Sequence, residues 1–206
     1  MIQKIVRDFM MIWTTIDPIG NVAIFSALTA SRTPAERASI ARRASIYAAL
    51  ILVVAVVLGQ IILDAVGVRM LSLQVAGGII LFLFAVKMLF GEMDEGAPSA
   101  DPNRDLAVFP IAVPSIAGPG AIMAVIILTD NDVYTVPQQA QTAVVLLVVL
   151  LLNYLALRLS DPILRIIGRQ GAAVLVRVMG ILLASLAVEI VMKALSVGDW
   201  AKPAAH

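Results

Sequence analysis

The sequence predicts an all-α, polytopic membrane protein: six transmembrane helices in two inverted three-helix repeats whose first helices are broken. Three observations carry this expectation. Of the 206 residues, 61% are hydrophobic, where a soluble domain stands at about half. The apolar residues fall into runs of about twenty, enough to cross a bilayer at about 1.5 Å per residue. A polar, breakable element is also written twice. The first copy opens Asp17-Pro18-Ile19-Gly20-Asn21 and closes on Thr29; the second opens Ala117-Gly118-Pro119-Gly120-Ala121 and closes on Thr129.

The spans are expected at roughly 8–29, 44–64, 70–90, 106–128, 141–159 and 172–195. The first resembles a secretory signal, with Lys4 and Arg7 before an apolar stretch, but Asp17-Pro18 interrupts the run and a signal core is continuous. It reads as a retained span. Thr33-Pro34-Ala35-Glu36 has the pattern of a capped helix start, with proline at the first helical position. The stretch from Asp64 to Arg69 reads as a tight hairpin, and Gly91 to Asp105 as an acidic, Pro- and Gly-rich linker. The whole is one membrane domain: repeat one at 8–91, the acidic linker at 92–105 and repeat two at 106–196.

Similarity between the halves extends past the breaks. Asp64-Ala65-Val66-Gly67 aligns with Arg165-Ile166-Ile167-Gly168, Gly78-Ile79-Ile80-Leu81 with Gly180-Ile181-Leu182-Leu183, and Ala85-Val86-Lys87 with Ala187-Val188-Glu189. Three spans per half is an odd number, so the halves enter from opposite sides, which defines an inverted repeat. Arg32, Arg37, Arg42 and Arg43 in the first loop, and Arg158, Arg165 and Arg169 after span five, place those loops in the cytoplasm. Both termini then lie on the outer, periplasmic side. Lys4 and Arg7 run against this orientation.

Free backbone groups survive at membrane depth only when buried in protein or lining a cavity. Paired interrupted spans are the best sequence pointer to a transporter's binding site. An acidic residue at a helix centre costs about 2.5–3.5 kcal/mol on insertion scales, so Asp17 needs a reason to be there. Two roles are open: a proton or cation carrier, or a cap for the amides of the following half-helix. Asn21 lies one turn on and shares its face. Pro18 and Pro119 lack an N–H; Gly20, Gly118 and Gly120 permit close backbone approach. A half-helix opened this way carries partial positive charge and attracts carboxylates. Ser115 adds a hydroxyl, and Thr14 and Thr15 precede the first break. Gln60, Gln74 and Asn153 read as interhelical hydrogen-bonding residues. Arg177 can snorkel or reach an interior carboxylate, and with Asp17 it is a candidate for ion or proton coupling. Glu189 and Lys193 suit an i,i+4 ion pair.

Composition excludes much. There are no cysteines, and the one histidine, His206, is the last residue, so thiol chemistry and Cys- or His-ligated metals fall away. A net charge of +1 with no basic patch argues against nucleic acid. No hydrolase, metalloprotease or phosphate-loop motif occurs, so no enzyme, cofactor or metal is expected. The expected partners are a small-molecule substrate and the lipid bilayer, and exposed helix faces leave room for a homo-oligomer.

At Asp17-Pro18-Ile19-Gly20-Asn21 and Ala117-Gly118-Pro119-Gly120-Ala121-Ile122 the chain resembles the MarC family of bacterial and archaeal integral membrane proteins. The resemblance extends to Ala76-Gly77-Gly78-Ile79-Ile80-Leu81-Phe82 and Arg177-Val178-Met179-Gly180. It implies six spans, the inner membrane and kinship with LysE-type transporters; some relatives are regarded as small neutral amino acid transporters. The chain departs at Val22-Ala23-Ile24, where relatives often carry another proline after the Asn. The expected function is secondary transport of a small solute, a neutral amino acid first, between Asp17–Asn21 and Gly118–Gly120. An exporter or channel for another solute or cation, and a non-transporting scaffold or regulatory protein, are the alternatives.

Overall fold

A computed structural model describes residues 2–90 and 105–195. His206 and all of the acidic linker except Asp105 lie outside the described residues. These residues form seven helices and one bent segment, with no strand among them: α1 (Ile2–Ile16), α2 (Pro18–Leu28), α3 (Pro34–Val66), α4 (Met70–Phe90), the segment Ala107–Ile116, α5 (Pro119–Leu128), α6 (Val136–Arg158) and α7 (Ser160–Ala194). Five stretches are long and apolar enough to cross a membrane, and the segment with α5, bent by 53°, makes a sixth.

Local chemistry sets the boundaries. Thr33 caps α3 through a reciprocal box: its hydroxyl accepts from the Glu36 N–H at 3.3 Å, and Glu36 accepts from the Thr33 N–H at 2.8 Å. In α6 the Gln138 side chain accepts from the Thr135 N–H at 3.0 Å. Thr29 and Thr129 cap the far ends of α2 and α5. Each hydroxyl donates to the carbonyl four residues back, Phe25 at 2.6 Å and Val125 at 2.7 Å. Gly67 ends α3 at φ 74° and Gly168 interrupts α7 at φ 72°, a left-handed conformation that glycine adopts without steric cost.

Two elements start earlier than their apolar runs suggest. The basic loop after span one is mostly the first turns of α3, and the chain between spans five and six is already helical from Ser160. The second case has a packing reason: Ile163 and Leu164 lie against the main core, so this stretch is amphipathic helix.

The halves interlock. α2 packs on α6 and α7, both from the second half; α5 packs on α3 and α4, both from the first. α3 also meets the Ala107–Ile116 segment, and α6 meets α1. Every residue of α5 except Pro119, Ile122 and Ile127 is buried, so the broken span four runs through the middle of the bundle. Ala41, Ala44 and Ala48 line the inner face of α3, where small side chains let neighbouring backbones close in. Leu50, Val54, Val57 and Ile61 on its other faces stay exposed, as a lipid-facing surface requires.

The longest contact runs between α4 and α7, which are antiparallel. A Cβ on Gly78 would meet the Ala187 carbonyl at 3.1 Å, and one on Gly180 the Ala85 carbonyl at 3.2 Å. The two contacts exchange when the halves are exchanged. Replacing Gly78 by Val drives a branched side chain into Val191, whose Cγ2 lies 2.6 Å from the Cβ position. Overpacking of this kind costs about 1–3 kcal/mol. The G78V protein should melt measurably below wild type in detergent, whereas Ile79→Val on the exposed face should melt with it.

Candidate functional site

At the first break the backbone turns at Asp17, with φ 49° and ψ 71°. Aspartate is one of the few residues besides glycine that visits this region. The turn diverts the Gly20 N–H from helical pairing, and the Asp17 carboxylate accepts it at 3.1 Å. The Ile16 carbonyl is served by Asn21 Nδ2, which donates to it at 2.7 Å. Two side chains thus stand in for the backbone bond that the break interrupts. Gly20 is needed here, since a Cβ would lie 2.1 Å from Asp17 Oδ2. Asp17 and Asn21 are both buried.

The second break is built differently. Phe109 and Val113 are extended within the Ala107–Ile116 segment, each preceding a proline. Pro110 and Pro114 cannot donate to the helical ladder, and the turn closes wide, from the Ala117 N–H to the Ala112 carbonyl at 2.8 Å. Gly118 then caps α5 without any side-chain hydrogen bond. A Cβ on it would meet the Pro114 carbonyl at 2.6 Å. The first amides of α5 therefore carry no side-chain acceptor.

The breaks are tied together. Ser115 Oγ donates to Asn21 Oδ1 at 2.6 Å. Asn21 Nδ2 also donates to Asn153 Oδ1 of α6 at 3.1 Å. One hydrogen-bonded chain thus joins span one, span four and span five. Beside it, a cavity of about 90 Å³ opens against Trp13, Pro18, Ile19 and Val22, with Ala156 of α6 and Ile163 of α7 opposite. Its walls are apolar.

Of the residues singled out from the sequence, Asp17, Gly20, Asn21 and Ser115 form this cluster. Gly118 and Pro119 make the turn just beyond Ser115, with Pro119 exposed. Gly120 packs against Leu81 of α4, whose Cδ1 lies 2.5 Å from the Cβ position. Thr15 turns back on its own helix, donating to the Met11 carbonyl at 2.9 Å. Thr14 is half-buried. Arg177 is exposed on α7 and makes no ion pair among the described residues. Glu189 and Lys193 pair at 3.0 Å on the surface.

Three features go beyond the sequence reading. Asn153 makes the interhelical bond expected of it, and its partner is Asn21 of the first break. Pro110 and Pro114, four residues apart in an apolar run, shape the second break, and their spacing was the available signal. The third is a buried charge cluster at the N-terminal end of α1. Asp8 is fully buried; it pairs with Lys4 and accepts from Thr142 of α6 at 2.6 Å. Lys4 also lies over the Tyr134 ring at 4.5 Å, and Arg7 donates to the Tyr134 hydroxyl at 2.6 Å. Nothing in the local sequence pairs Asp8 with Thr142. Among the described residues no group of His, Cys, Asp or Glu side chains is placed to hold a metal.

A helical bundle with lipid-facing exterior, two interrupted spans and a buried polar cluster between them defines a polytopic integral membrane protein. The chain belongs to the MarC family of integral membrane proteins, whose profile matches residues 2–197. It is 41% identical over 200 residues to a membrane protein of Archaeoglobus fulgidus, covering 92% of this chain and 91% of that one. It is 34% identical to the membrane protein YvbG of Bacillus subtilis, covering 91% and 92%. It is 30% identical to the inner membrane protein MarC of Escherichia coli, covering 85% and 86%. No solved structure matches the chain at a significant level.

The double duty of Asp17, backbone turn and cap, predicts an order of stabilities. Asp17→Asn keeps a capping oxygen and tolerates the left-handed turn, so it should unfold close to wild type. Asp17→Ala loses both and should be less stable by about 1–2 kcal/mol. Asp17→Gly, which suits the turn but not the cap, should fall between them. Thermal melts of the three variants in one detergent check the ranking.

Proposed function

We propose that this protein is a secondary transporter of a small solute, with small neutral amino acids as the substrate class, and that the solute binds between the two breaks. The observation that carries the reading is the hydrogen-bonded chain from Ser115 through Asn21 to the Ile16 carbonyl. Polar residues at membrane depth are costly and mark solute pathways. Discontinuous spans that face each other supply both helix-end charge and freed carbonyls to such a site. The uncapped start of α5 suits a carboxylate, and the Asp17 carboxylate suits an ammonium. The apolar cavity beside Pro18 and Val22 suits an aliphatic side chain.

We read the two halves as an inverted repeat, an arrangement that suits alternating access. Reciprocal contacts of Gly78 with Ala187 and Gly180 with Ala85 and the paired Thr caps accord with a pseudo-two-fold axis in the membrane plane. An inner-membrane location accords with the Escherichia coli relative, which is an inner membrane protein, and the termini are assigned to the outer side. Lys4 and Arg7, which oppose that orientation by charge, are paired with Asp8 and Tyr134. The protein acts on its solute by binding and reorientation alone, without covalent chemistry.

Uptake of radiolabelled small neutral amino acids into proteoliposomes tests this. Wild type should accumulate at least one of them against empty vesicles. Ser115→Ala and Asn21→Ala should lower the initial rate about tenfold or more, while Arg177→Gln, on the exposed face, should leave it near wild type. Asp17→Asn should abolish acceleration by an inward proton gradient if the carboxylate carries the coupling proton. Wild-type vesicles that take up none of the amino acids would end the reading.

A further inference from the structure

The polarity of the buried chain is fixed by one atom. The Ile16 carbonyl can only accept, so the Asn21 atom facing it at 2.7 Å is Nδ2. Both N–H bonds of that nitrogen are then committed, one to Ile16 and one to Asn153. The Asn153 atom facing Asn21 must be the acceptor Oδ1. Asn21 Oδ1 in turn is left facing Ser115, whose hydroxyl donates to it. No flip of either amide is available, because each would set two donors or two acceptors against each other. The consequence falls on Asn153 Nδ2. It is wholly buried and has no hydrogen-bond partner among the described residues.

A buried amide with two free N–H bonds is expensive to leave open, so such a group in a native protein calls for an explanation. The Asn153 amide and the uncapped amides at the start of α5 are uncommitted donors, and a carboxylate is the acceptor a zwitterionic solute would offer them. The Asp17 carboxylate already faces the Gly20 N–H. Asn153 lies three residues before Ala156, the α6 residue that lines the apolar cavity, and is itself buried behind that lining.

We propose that Asn153 is a ligand-binding residue, and that its Nδ2 group donates to a carboxylate oxygen of the solute. This rests on the transporter reading and makes it more specific: the site selects for the acidic end of its ligand, and Asn21 positions the amide that reads it. Ser115 acts through Asn21, holding its Oδ1 so that the orientation of Asn153 cannot reverse.

The test is competition against radiolabelled L-alanine on the purified full chain in detergent, with propionate and isopropylamine as competitors. Propionate keeps the carboxylate without the ammonium; isopropylamine does the reverse. Propionate should displace L-alanine from wild type and isopropylamine should be at least tenfold weaker. Asn153→Asp keeps the oxygen that Asn21 needs and loses the amide N–H pair, and Asn153→Leu loses both. Each should weaken L-alanine binding tenfold or more. The competitor ranking on wild type stands independently of how well the variants fold. Isopropylamine displacing as well as propionate overturns the proposal. So does an N153D protein that binds L-alanine as tightly as wild type, which would leave the amide to a bound water and the transporter reading intact. Wild type that binds none of the three probes removes both.

Discussion

Every polar feature of this bundle answers one constraint: hydrocarbon offers a peptide group nothing to bond with. A helix meets that constraint internally, so a helix interrupted at membrane depth must be repaired by side chains. The first break is repaired by two residues four positions apart. Asp17 takes the Gly20 amide and Asn21 serves the Ile16 carbonyl. Asn21 is also the acceptor for Ser115 and the donor to Asn153, so the group that repairs span one is itself held from two other spans. The repair reaches across to spans four and five, and these bonds add to apolar contact in the interlocked packing of the halves.

The breaks themselves were legible because their residue types have few other uses in an apolar run. A carboxylate before a proline, followed by a glycine and an amide, leaves little choice but a capped helix start. The reciprocal α3 cap at Thr33 and Glu36, and the hairpin closed by Gly67, were legible for the same reason: each is a local rule acting over four residues. What stayed hidden is long-range. Asp8 and Thr142 are 134 positions apart, and no spacing rule links them. Asn153 looked like any polar residue in a span until its partner was known. The helical stretch Ser160–Ile167 was hidden for a different reason. With Asp161-Pro162 inside it and Arg158, Arg165 and Arg169 in and around it, it reads as a loop; Ile163 and Leu164 packing on the core favour helix.

Charge is distributed so that each end of the bundle is fastened across the two halves. At one end Lys4 and Asp8 of α1 hold Thr142 of α6. At the other, Arg37 of α3 binds Asp161 at 2.7 Å and Ser160 at 3.0 Å, and Arg43 pairs with Asp105. The two fasteners are unlike in burial. Asp8 is fully enclosed, whereas Asp161 and Asp105 are each more than a third exposed. An exposed pair is worth about 0–1 kcal/mol, while separating a buried pair strands a charge at about 3–5 kcal/mol. The fully buried carboxylate is at the α1 end; at the other end Arg37 itself is mostly buried and the carboxylates face solvent.

That imbalance bears on how a site between the breaks is reached. A path to Asn21 and Ser115 from the Lys4 end must disrupt a buried ionic cluster and lift Thr142 away from Asp8. A path from the Arg37 end parts two pairs whose carboxylates face solvent, together with the Arg37–Ser160 bond, and it passes the cavity lined by Pro18, Ile19 and Ile163. The cavity lies at this end, between the first turn of α2 and the start of α7. Under the transporter reading, the fully buried carboxylate lies on the side assigned to the periplasm, and the solvent-facing carboxylates lie toward the cytoplasm. Under that reading, a solute entering from the Arg37 end meets the apolar cavity beside Pro18 and Val22 before it reaches the polar groups of the first break.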